Sequence, residues 1–329
     1  MSERILTADQ SSSRRVAYYD WMKLTAAFLV VFYHFSYYDL DYGFVPGQFY
    51  LPNGIRIMMS FAAASVPLFF LVNGALTFRR HRSWRESLGK AVKILILMGI
   101  WYVARFPSWF FRTLVILYLM FPVLQWLREH HRRLFVALCG GVFLMPFCYN
   151  LALMCLKGVS LVARVDDLSG GRSVTGMFTM YSILYFCLGS WLDRAKPWRM
   201  PAALGCTAAG WILVLTECTI YTNLQQQMWD GVNTAFPTVG ALLMAVGLFM
   251  VFRNIPASFG QVFLGWCCES ILAIYVLHMT MVRLLKHFFQ LTDYGIVTAV
   301  AATGVVCLMC ILVHKLCKRI PVVNQLFRI

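Results

Sequence analysis

Asp20, Lys23 and His34 stand in one apolar run near the start of a chain of 329 residues. Helical spacing puts His34 about three turns, or 16 Å, beyond Lys23, so the two share roughly one face at different depths. A neutral imidazole can accept a proton from a hydroxyl near neutral pH, the step that acyl transfer to an alcohol requires. Taken alone, His34 reads more readily as an imidazole hydrogen-bonded to a neighbouring helix. His278 lies in a later apolar run, with Glu269 about two turns before it, and reads either as a second catalytic group or as a helix–helix hydrogen bond. Arg112 is another charge inside an apolar run. His81, His130 and His131 sit in basic stretches and read as solvated, as do His287 and His314 at run ends.

The elements that must position these groups are transmembrane helices. The chain is 60% hydrophobic and 13% charged, with a mean hydropathy of +0.67, whereas soluble domains carry about 25% charged residues. Its apolar runs reach the roughly 20 residues that a helix needs to cross the bilayer, and lack the short alternating segments of a barrel. The predicted fold is an all-α polytopic bundle of about ten helices, near 18–37, 57–78, 91–106, 108–127, 134–156, 174–192, 200–221, 234–252, 270–289 and 295–314. No apolar run precedes Tyr18, so the first span is expected to direct its own insertion. The expected organisation is a tail over 1–17, one transmembrane domain over 18–314 and a second tail over 315–329. In such a bundle each ionisable group within the bilayer costs several kcal/mol unless paired or hydrated, which makes it a functional candidate.

The net charge is +15. With no basic soluble domain to carry nucleic acid, the excess reads as topology. If the N-terminus is cytoplasmic, 21 of the 29 Lys and Arg fall on the inner side, including Arg79 to Lys93, Arg128 to Arg133 and Lys315 to Arg319. The other 8 are Arg56, Arg105, Arg112, Lys157, Arg164, Arg172, Arg283 and Lys286, on the outer side. Both termini are therefore expected in the cytoplasm. The eleven cysteines lie mostly in apolar runs without ligand spacing, so neither disulfides nor a metal site is expected.

The first run, YDWMKLTAAFLVVFYH from Tyr19 to His34, resembles the first-helix signature of the acyltransferase 3 family. Further segments follow in that family's order: SVPLFFLVNGALTF from Ser65 to Phe78, Trp109 and Phe110 leading to Tyr118 and Pro122, YSILYFCLG from Tyr181 to Gly189, and ESILAIYVLH from Glu269 to His278. The resemblance covers nearly the whole chain.

It implies a multi-pass enzyme of the bacterial inner membrane that transfers an acyl group, with acetyl-CoA the expected co-substrate, to a hydroxyl of a carbohydrate or lipid-linked glycan. No tightly bound cofactor is expected. His34 takes the place of the family's essential histidine, the general base, with Asp20 and His278 as further catalytic candidates. Lys23 stands where the family has Arg and would meet a CoA phosphate as a point charge, without the planar fork of a guanidinium. The family's basic pair after the second span has two candidates, Arg79 with Arg82 or Lys90 with Lys93; ordinary positive-inside charge explains either pair as well. The stretch from Ile100 to Ser108 is shorter than the family's outer loop, which leaves the acceptor open. A transporter or flippase of glycan-linked substrates is the competing reading, because buried His, Arg and Asp also suit a proton-coupled path.

Overall fold

The computed structural model describes residues 17–36, 40–101, 109–156, 178–228, 236–289 and 295–319. The expected tail before residue 17, the segment around Arg105 and the outer loop 157–173 lie outside the described residues. Among the described residues the chain is helical, with no strand. Six helical runs among the described residues are long and apolar enough to cross a membrane: Gly54–Thr77, Trp109–His130, Arg132–Tyr149, Met200–Leu224, Ile271–Phe289 and Ile296–Cys317.

Local chemistry sets the boundaries. Helix α1 spans Ala17–Ser36. The second run is α2 (Gly54–Ser60), a 3₁₀ turn (Phe61–Ala64) and α3 (Ser65–Thr77). Asn53 opens it by accepting the Arg56 amide at 2.9 Å. The tightened turn falls where Pro67 has no N–H to offer the carbonyl four residues back. Helix α4 (Trp84–Trp101) begins earlier than the expected third span. A capping box starts it: Glu86 Oε2 accepts the Ser83 amide at 2.9 Å, and Ser83 Oγ accepts the Glu86 amide at 3.3 Å. Lys90 and Lys93 are therefore on a helix face rather than in a loop.

Helix α5 (Trp109–His130) is followed by α6 (Arg132–Gly141) and α7 (Met145–Leu156). The expected fifth span, 134–156, is thus present as the run Arg132–Tyr149 with a turn at 142–144, where Gly140 and Gly141 weaken one helix and Pro146 starts the next. The remaining helices are α8 (Phe178–Arg194), α9 (Met200–Gln225), α10 (Val239–Arg253), α11 (Gln261–Cys268), α12 (Ile271–Phe289) and α13 (Ile296–Cys317).

Helix α1 packs against α3, α10, α11, α12 and α13, so its residues face the interior along most of its length. Backbones meet where side chains are absent. A Cβ on Gly74 of α3 would lie 1.8 Å from the Phe186 carbonyl oxygen of α8, and one on Gly189 of α8 would lie 2.0 Å from the Leu71 carbonyl oxygen. Such reciprocal contacts are the close approach that small residues permit between membrane helices. The segment before α2 is pinned to the end of α9: Asn223 accepts the Tyr50 amide at 2.7 Å and donates to its carbonyl at 2.8 Å. Gln226 Oε1 accepts the Gly47 amide at 2.8 Å.

Candidate active site

His34 and His278 come together in the helix interior, with ring centroids 5.1 Å apart. They are 244 positions apart in the sequence, and the packing of α1 on α12 joins them. His278 is fully buried. Its Nδ1 lies 2.7 Å from the Tyr275 carbonyl oxygen and 3.1 Å from that of Ile274. Carbonyl oxygens only accept, so in the neutral ring these contacts assign the proton to Nδ1 and the lone pair to Nε2. That Nε2 is buried and has no hydrogen-bond partner. The arrangement is a proton acceptor of fixed orientation beside a second imidazole.

A small cleft of about 20 Å³ adjoins His34, lined by Val30, Ser65, Val66, Trp109, Phe236 and Tyr275 among others. It holds roughly one water. Trp109 stacks on Phe236 with centroids 5.9 Å apart. Tyr185 fixes that wall from behind, its hydroxyl donating to the Phe236 carbonyl at 2.8 Å. The segments around His34, Ser65, Trp109 and Tyr275 thus line one cleft, and the segment from Tyr181 to Gly189 buttresses it.

The other α1 candidates lie elsewhere. Asp20 is about 21 Å from His34 along the axis, at 1.5 Å per residue. It sits 3.8 Å from Lys23 Nζ, one turn on. The structure does not bring Asp20 or Lys23 to the histidine pair. Glu269, expected two turns before His278, caps α11 and binds Lys318 at 2.8 Å and Lys315 at 3.1 Å. Those two bonds hold its carboxyl down at about 2. His314, expected to be solvated, is buried and shares a 2.8 Å hydrogen bond with Ser270 Oγ, because α13 packs over the turn that begins α12. Arg112 lies on an exposed face of α5.

The basic candidates separate into two groups. Arg79 Nε and Nη2 bind Asp193 Oδ2 and Oδ1 at 2.9 and 2.8 Å, and the guanidinium lies 5.0 Å over the Tyr19 ring. Arg82, Arg80 and Lys93 surround Lys90 beside the C-terminal half of α5. Lys90 Nζ lies 5.3 Å over the Tyr118 ring. The Arg82 amide donates to Gln125 Oε1 at 3.3 Å, and its Nη1 is shielded from solvent without a hydrogen-bond partner. Burial, with the charges of Arg82, Arg80 and Lys93, pushes the Lys90 ammonium down to about 8. The cluster is a surplus of positive charge with Glu86 as a minor counterweight.

The family pattern described as an acyltransferase domain matches residues 16–107 and 104–315. The chain belongs to the acyltransferase 3 family. Comparison with curated proteins and with solved structures returns no match. The family match runs across the histidine pair, the aromatic cleft and the basic cluster, so all three lie inside the acyltransferase domain.

Sequence reasoning passed over two acidic residues of this acyltransferase. Asp193 is the partner of Arg79, Tyr18 and Tyr19. Glu217 is buried in α9 near the amides that begin α10. The signal was available, since only 14 acidic residues occur in the whole chain and those inside apolar runs are expensive.

Proposed function

We propose that this membrane acyltransferase moves an acyl group, with acetyl the first candidate, from cytosolic acyl-CoA to a hydroxyl of a cell-envelope carbohydrate or lipid-linked glycan. The observation that carries the reading is the convergence of His34 and His278 beside a shielded aromatic cleft. The acceptor oxygen attacks the thioester carbonyl carbon as His34 takes its proton. The carbon–sulfur bond then breaks, and the sulfur leaves with that proton as free CoA thiol. His278, its ring 5.1 Å away with a free Nε2 lone pair, is the group placed to stabilise the imidazolium that forms between these two steps.

The donor would enter from the opposite end of α5. Phe110 packs 5.1 Å from the Tyr275 ring at the histidine end. Tyr118 follows about 12 Å further along the helix and Gln125 about 10 Å beyond that. The residues at that far end are Arg82, Lys90 and Lys93, cations suited to the phosphates of CoA. A path of this length lets the thioester reach the histidines while the nucleotide stays with the charges. The reading includes an inner-membrane location with both termini cytoplasmic, which places the basic cluster where acyl-CoA is found.

The test is transfer of label from radiolabelled acetyl-CoA to envelope glycans by the purified protein in detergent. Mass spectrometry of surface glycans from cells with and without the gene identifies the acceptor. A folded wild-type protein that transfers no label to any glycan fraction removes this reading.

A further inference from the structure

Arg79 and Arg82 stand three residues apart between α3 and α4, yet their surroundings oppose each other. Arg82 has a shielded Nη1 without a hydrogen-bond partner and lies near Lys90, itself surrounded by positive charge. Arg79 is 42% exposed, but its Nε and Nη2 are already taken up by protein. Its fork meets both oxygens of Asp193, whose side chain is only 8% exposed. The same carboxylate accepts from the Tyr18 hydroxyl at 2.9 Å and from the Tyr19 hydroxyl, and Arg79 Nη2 also donates to Tyr18 at 3.2 Å. Three elements are tied at this knot: the start of α1, the end of α8 and the segment that leads into α4.

We infer that Arg79 is a positioning residue, a strut that fixes the register between the helix bearing His34 and the segment bearing the donor-binding cations. The reasons are geometric. A bidentate guanidinium–carboxylate pair has little directional freedom, and a partly buried carboxylate beside Arg79 repels an incoming phosphate. The inference rests on the donor site proposed above, and it changes the role of one arginine there. Arg79 does not hold the donor; it holds α1 against the segment that does.

The two roles predict opposite behaviour for Asp193. If Arg79 contacts the donor, Arg79→Ala raises KM for acetyl-CoA, while Asp193→Asn, which removes a nearby negative charge, leaves KM unchanged or lowers it. If Arg79 is a strut, both variants lower kcat roughly tenfold or more through misalignment and keep KM within about twofold. The double variant is then no worse than either single one. The exchanged pair, Arg79→Asp with Asp193→Arg, regains part of the loss. Should Asp193→Asn fail to fold, Tyr18→Phe and Tyr19→Phe remove only hydroxyls that bind the carboxylate and carry the same comparison.

Melting temperatures of Arg79→Ala, Asp193→Asn and the double variant form a cycle that needs no substrate. Non-additive melting shifts support the strut even if acetyl-CoA proves not to be the donor. Additive melting shifts, or a KM effect confined to Arg79→Ala, overturn it.

Discussion

His278 lies with its ring 5.1 Å from that of His34 and keeps an unpartnered Nε2, because its Nδ1 is held by the carbonyls of Tyr275 and Ile274, one turn back on the same helix. A histidine fixed in this way has one neutral tautomer available for chemistry. If the two rings act as a unit, His34→Ala and His278→Ala should each lower kcat by about 10²- to 10⁴-fold, the range for losing acid–base assistance. The double variant should be no slower than the worse single one. Steady-state transfer assays on protein verified as folded check this, and wild-type turnover in His278→Ala would confine that residue to packing.

Donor affinity should depend on pH through Lys90. Its ammonium is held down to about 8 by burial and by Arg82, Arg80 and Lys93, so its charge is present below that pH and is lost as pH rises through it. KM for acyl-CoA should therefore increase between pH 7 and 9. Lys90→Arg keeps its charge throughout and should flatten the profile. Saturation curves at fixed ionic strength measure both, and an identical rise in the two proteins would assign it elsewhere.

Neutralising Lys90 and Lys93 together should raise KM for acyl-CoA more than it lowers kcat. Contacts remote from the reacting thioester bind the ground and transition states alike. The effect should shrink in high salt, where the wild-type KM also rises. An unchanged saturation curve would leave these lysines as topology signals only.

The contact between α3 and α8 should not tolerate a methyl group. Gly74→Ala and Gly189→Ala each place a Cβ within 2.0 Å of a backbone oxygen, so both should destabilise the bundle by at least the roughly 1–3 kcal/mol typical of overpacking. Gly205→Ala, which meets nothing within 4 Å, is the matched control. Thermal denaturation in detergent distinguishes the three, and equal melting temperatures would contradict the helix spacing.

Sidedness follows from charge and can be read by labelling. Ser83 and Gly43 look suitable from sequence, but Ser83 caps α4 and Gly43 has φ near +69°, a conformation that disfavours a cysteine. Arg85 and Phe49, both exposed, are better probes. In a cysteine-depleted protein, Arg85→Cys should react with an impermeant reagent from the cytosolic side and Phe49→Cys from the opposite side. The reverse pattern would overturn the proposed orientation.

Much of this was legible in the sequence, and the remainder has physical reasons. The helical class follows from apolar run lengths, and the start of α4 was written in Ser83-Trp84-Arg85-Glu86, a capping pattern. His34 stood out because an imidazole deep in an apolar run needs an explanation. His278 stood out as a candidate for the same reason, but its meeting with His34 did not, because contact between distant helices depends on which faces pack, and periodicity in one helix carries no record of the other. The same limit hid the partner of Arg79. The break between α6 and α7 fell inside a run that hydropathy reads as continuous, since glycine and alanine count as apolar there while glycine also loosens the helix.

The cleft beside His34 has another consequence. At about 20 Å³ it has room for roughly one water, so the proposed transfer asks the aromatic wall, Trp109 on Phe236, to give way before an acyl group and a hydroxyl can meet there. Of the two rings, His278 is fully enclosed while His34 keeps part of its surface open, so under the proposed mechanism the acceptor would meet His34 first, with His278 acting from behind it.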